Sequence, residues 1–106
     1  MKTIEDWNQI LIQMTENTDY EVLMKEKISS PVVAIVPKYL GTPQRIAIYP
    51  KKTQNPGLVI EKDVFEMSKI KELLGEPKRI KNNRPHYYDV EEQKIIDVCK
   101  IFLFKE

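Results

Sequence analysis

The chain has one cysteine and one histidine, Cys99 and His86, and that scarcity excludes a good deal. A lone cysteine forms no intramolecular disulfide, and one Cys with one His cannot complete a tetrahedral zinc site of Cys and His ligands within one chain. No structural metal is expected. Glycine is nearly as scarce: Gly41, Gly57 and Gly75 stand far apart, so there is no phosphate-cradling glycine loop and no nucleotide cofactor is implied. No apolar run is long enough to span a bilayer, and Met1-Lys2-Thr3-Ile4-Glu5-Asp6 puts acids where a signal peptide needs an apolar stretch. The expectation is a cytoplasmic protein without membrane contact.

What is present suits one globular domain over residues 1–106, with 42% hydrophobic and 31% charged residues. The net charge is only +1, but the charges come in blocks. Residues 31–60 carry Lys38, Arg45, Lys51 and Lys52 and no acid, and residues 77–88 carry Lys78, Arg79, Lys81 and Arg84 and no acid, while the three remaining segments are each richer in acid than in lysine. If the two acid-free blocks fold onto one side, a nearly neutral chain acquires a positive face that attracts polyanions.

The apolar pattern places the elements. Thr3 and Asp6 have the spacing of an N-terminal cap, and Ile4, Trp7, Ile10, Leu11 and Met14 recur at helical spacing, which predicts a helix over residues 4–16 with Trp7 in the core, ending at Asn17-Thr18-Asp19. Tyr20, Val22 and Met24 alternate and suggest a strand, with a second helix as the alternative. After a break at Ser29-Ser30-Pro31, Val32-Val33-Ala34-Ile35-Val36 reads as a central strand buried on both sides and ended by Pro37. A loop over residues 38–44 leads into the return strand Arg45-Ile46-Ala47-Ile48-Tyr49. An exposed basic loop over residues 51–57 then precedes the short strand Leu58-Val59-Ile60. Asp63 and Glu66 have capping-box spacing, Val64, Met67, Ile70 and Leu74 form a helical stripe, and Gly75 and Pro77 stop that helix. At the end, residues 87–90 and 94–104 flank Glu91-Glu92-Gln93, read as a hairpin turn. Ile95, Val98, Cys99, Phe102 and Leu103 would also make a helix face, but the β-branched and aromatic content favours a strand.

The basic and aromatic residues of 77–88 carry the functional reading. Single-stranded RNA is held by cations along its phosphates and by aromatic faces under its bases, with Asn able to read base edges. Lys78, Arg79, Lys81, Asn82, Arg84, His86, Tyr87 and Tyr88 supply all three kinds of group, with Arg45, Lys51 and Lys52 as secondary phosphate contacts. If a strand starts at Pro85, His86 and Tyr88 share one face and Tyr87 takes the other, so one tyrosine belongs to the core. No catalytic residue is assigned. The enzyme alternative is a small ribonuclease using His86 and Arg84.

The helix, the hairpin over residues 31–50, the helix ending in Gly75-Glu76-Pro77-Lys78-Arg79 and the β-rich end from Arg84 together resemble the PUA-like small regulators of conjugative plasmids, the PrgU group. The resemblance implies a compact, barrel-like α/β fold, RNA binding and control of gene expression. Residues 84–90, the charged turn and residues 94–104 are also similar to the C-terminal hairpin of RelE-like messenger-RNA interferases, which implies RNA cleavage. The expectation is therefore an α+β single domain, with a mixed, mostly antiparallel sheet partly curled into a barrel and at least two packed helices. The first function is non-catalytic RNA binding in gene regulation. The third class is a protein-interaction module, in which the aromatic C-terminal arm, as an edge strand, pairs with a partner or a second copy.

Overall fold

A computed structural model of the chain describes residues 2–26, 31–39, 44–61, 67–82 and 84–104. The first helix, α1 (Ile4–Thr15), starts where the capping pattern predicts. Asp6 N donates to Thr3 Oγ1 and Thr3 N donates to Asp6 Oδ2, a reciprocal box that pairs two otherwise orphaned amides. The Thr3 donors also hold the Asp6 carboxyl below its ordinary pKa. Trp7 and Leu11 are fully buried, and burying a side chain such as Leu11 stabilises by roughly 2 kcal/mol. Asn17, at φ 61, turns the chain out of the helix, a left-handed conformation that Asn tolerates better than most residues.

Among the described residues six strands follow: β1 (Tyr20–Lys25), β2 (Val32–Pro37), β3 (Ile46–Tyr49), β4 (Gly57–Ile60), β5 (Arg79–Lys81) and β6 (Arg84–Tyr87). They form one antiparallel sheet in the order β1-β2-β3-β4-β6-β5. The sheet is open: among the described residues the outer strands β1 and β5 pair only inward, so the expected curling into a barrel is not seen. Helix α2 (Met67–Leu74) links β4 to β5, and helix α3 (Glu92–Phe104) follows β6. The capping box at Asp63 and Glu66, the break at Ser29-Ser30 and the Gly41–Pro43 part of the expected loop lie outside the described residues.

The last element corrects the expectation of a strand. Ile95, Val98, Cys99 and Phe102 fall at spacings of three and four, and all four are buried on the inner face of α3. Glu91 and Glu92 are not a hairpin turn; Glu91 O accepts from Ile95 N at the start of the helix, and Glu92 Oε2 accepts from Lys2 N. Tyr20 meets Phe102 edge to face at 4.9 Å, so α3 reaches back over β1.

All three helices contribute to a single core with one face of the sheet. Val33, Ile35, Ile46, Ile48, Leu58, Ile60 and Tyr87 meet Trp7, Leu11, Ile70, Ile95, Val98 and Phe102 there. Cys99 lies in this core, and burial pushes its thiol up to about 12, leaving it a protonated packing group. The strand β2 is buried on both sides at Val33, Ala34 and Ile35, as its unbroken apolar run suggested, but the described helices cover one face only. Val33 and Ile35 face the helices, whereas Val32, Ala34 and Val36 belong to the second face, which contributes no residue to the core cluster. Among the described residues no helix is long and apolar enough to cross a membrane.

Candidate nucleic-acid interface

Antiparallel register places directly opposite residues on the same side of a sheet, so the composition of the second face can be read strand by strand. Ala34 pairs with Ala47, Ala47 with Val59, Val59 with His86 and His86 with Arg79. One step along, Lys81 pairs with Arg84. Two residues from Ala47 along β3 stand Arg45 on one side and Tyr49 on the other, and Tyr49 pairs with Gly57. The second face therefore has a floor of short side chains, Ala34 and Ala47, bordered by Arg45, Tyr49, Arg79, Lys81, Arg84 and His86.

Glu61 ties the two acid-free blocks together. Its backbone N–H donates to Arg45 O, which extends the β3–β4 ladder by a step, and its side chain lies on the second face, only 8% exposed. Arg45 Nε approaches its Oε1 at 3.4 Å and Arg84 Nη2 approaches the same oxygen at 3.3 Å. A carboxylate that deep requires positive partners, and here it receives one from each block. The guanidinium groups remain about half exposed and flank a depression of about 220 Å³ above Ala34, Ala47 and Val59.

A second depression, of about 200 Å³, lies beside it, lined by Tyr49, Lys51, Val59, His86 and Tyr88. The His86 imidazole is partly buried, and that burial, followed by Arg79, Lys81 and Arg84, pulls its pKa below the ordinary value. It is neutral at pH 7, with an aromatic face and nitrogens able both to donate and to accept.

Not every residue read from the sequence joins this surface. Tyr87 does not: it is 4% exposed, and its hydroxyl donates to Gly75 O at 3.2 Å, so its place is the core, where it secures the end of α2. Tyr88 is the free tyrosine of the pair, 51% exposed. Lys78 N donates to His86 O, but Lys78 lines a different recess, together with Glu76, Asp89, Glu91 and Lys94. Asn82 sits between paired Lys81 and Arg84 at φ 55, the conformation favoured in tight hairpin turns, so its first role is to turn the chain. Lys51 borders the second depression, and Lys52 is exposed one residue further on, in a recess it shares with Lys2, Ile4 and Pro50.

Tyr49, Val59 and Glu61 are the functional candidates that reading the basic blocks alone overlooks. The signal was the alternation in Arg45-Ile46-Ala47-Ile48-Tyr49, which commits Ile46 and Ile48 to the core and leaves Arg45, Ala47 and Tyr49 together on the other side. Among the described residues no cluster of His, Cys, Asp and Glu is placed to hold a metal ion. Comparison with protein-family models, curated proteins and solved structures returns no match.

Proposed function

We propose that this chain is a non-catalytic RNA-binding protein that acts in gene expression by occupying single-stranded RNA on the second face of its sheet. One observation carries the reading: Arg45, Arg79, Lys81 and Arg84, from acid-free blocks far apart in the chain, share with Tyr49 and His86 a face of the sheet that none of the described helices covers. Phosphates follow the cations, and unstacked bases find Tyr49, His86 and Tyr88 as platforms. A broad open sheet suits a splayed strand better than a duplex, whose grooves are entered by a protruding helix or ribbon. The likeness to PUA-like plasmid regulators points to the same class of ligand, and the open face provides a surface for it without a PUA-like barrel.

The test is fluorescence anisotropy with a short unstructured RNA over a range of salt, for the wild type and for Arg79→Ala combined with Lys81→Ala. Both side chains are exposed on β5, so the double variant should melt with the wild type. Log affinity should fall linearly with log salt, and the double variant should lower the slope by about 1.4, at about 0.7 per lost phosphate contact on a single strand. RNA recovered from the mixture should be intact. Equal slopes in a folded variant would remove β5 from the interface; shortened RNA that His86→Ala protects would make the protein a ribonuclease.

A further inference from the structure

Strand β1 is an edge with an unusual degree of self-complementarity. Its six residues pair in uninterrupted register with β2, from Tyr20↔Pro37 to Lys25↔Val32, with neither a bulge nor a proline in β1 to discourage a further strand. The direction of its outer backbone groups follows from two contacts. Lys38 N donates to Asp19 O at 2.9 Å, so the pair preceding Tyr20↔Pro37 is a hydrogen-bonded one. Hydrogen-bonded and non-bonded pairs alternate along an antiparallel ladder. Glu21, Leu23 and Lys25 therefore turn their amides and carbonyls toward β2, and Tyr20, Val22 and Met24 turn theirs outward. Tyr20 confirms the direction, because its N–H donates to Thr18 Oγ1 at 3.2 Å. Val22 and Met24 have no such local partner among the described residues.

Side chains on this edge match the backbone. Leu23 is 43% exposed and Met24 37% exposed. Glu21 and Lys25 stand two residues to either side of Leu23, on the same face and with opposite charge. We propose that the occupant of this edge is a second copy of the chain, joined β1 to β1 in antiparallel fashion about a twofold axis through Leu23. In that register Val22 exchanges both backbone hydrogen bonds with Met24 of the partner subunit, twice by symmetry. Leu23 meets Leu23 of the partner subunit, and Glu21 stands opposite Lys25 of the partner subunit at both ends. Centring the pair on Val22 or Met24 instead would set a charge against Leu23, so the charges select one register. The axis is perpendicular to the sheet, and the two second faces lie on the same side.

The inference is independent of the RNA reading and is tested by mass. Sedimentation equilibrium is run on the wild type, on Glu21→Lys, on Lys25→Glu and on an equimolar mixture of the two variants, with circular dichroism to verify folding of these exposed-site variants. The wild type should be a concentration-dependent dimer. Each variant alone sets like charges opposite each other at both ends and should dissociate at least tenfold more readily, whereas the mixture should recover the dimer mass, because opposite charges again face each other. A monomeric wild type, a dimer indifferent to either substitution, or a mixture no heavier than its components would each overturn the proposal.

Discussion

At the scale of single residues, His86 is the group whose state changes most easily. Its pKa lies below the ordinary 6.5 because it is partly buried and because Arg79, Lys81 and Arg84 share its surroundings. A folded-state value below the unfolded one means that the unfolded chain binds the proton more readily. The resulting stability is full above about pH 6.5 and is lost as pH falls through the unfolded value toward the folded one. Phosphate laid along the same face would offset the three cations and raise the imidazole pKa, so binding would take up a proton. RNA affinity should therefore rise as pH is lowered from about 8 to about 6, and the rise should be smaller in His86→Gln when both proteins are titrated by anisotropy at each pH. Equal pH profiles in the two proteins would place His86 away from bound RNA.

At the scale of elements, the parts that read correctly were those in which one local pattern had no rival. Thr3 with Asp6, and Gly75 at φ 82 closing α2 with its N–H donating to Lys71 O, are such cases. Alternation set Tyr87 and Tyr88 on opposite faces without saying which was buried, and Tyr87, read as an RNA contact, is the one in the core. Helix α3 was misread because Ile, Val and Phe raise β propensity while their spacing of three and four marks a helix; packing of that stripe on the sheet decided the matter. Val33, Ala34 and Ile35 are buried on both sides of β2 as expected, but which side carries the helices was not legible, for a related reason. Val32-Val33-Ala34-Ile35-Val36 is apolar throughout, so it cannot reveal which face the helices leave open, and the shared basic face likewise depended on pairing that brings β6 beside β4. The Tyr87 hydroxyl joins β6 to the carbonyl end of α2, and Tyr87→Phe should lower unfolding free energy by about 1 kcal/mol in urea denaturation, with no change in RNA affinity. A neutral substitution would mean that water satisfies Gly75 O equally well in its absence.

At the scale of the whole molecule, the described helices lie on one face of the sheet, so core packing and the proposed interface draw on alternate residues of the same strands. Ile46 and Ile48 hold the fold while Arg45, Ala47 and Tyr49 shape the surface between them, which allows the surface to change without reworking the core. The order of the strands carries a further consequence, for the path by which the chain reaches this state. Strands β1 to β4 each lie beside their neighbour in sequence, so that part can zip together through short closures, whereas β6 reaches β4 only after α2 and β5 have been passed over. The meander should thus belong to the folding nucleus and the β5–β6 hairpin should dock late. In stopped-flow chevrons, Ile48→Val should act mainly by slowing refolding and Tyr87→Phe mainly by speeding unfolding. A hairpin that docks last also opens first, and the strands bearing Arg79, Lys81, Arg84 and His86 would then be the first to exchange their amide hydrogens in the native protein.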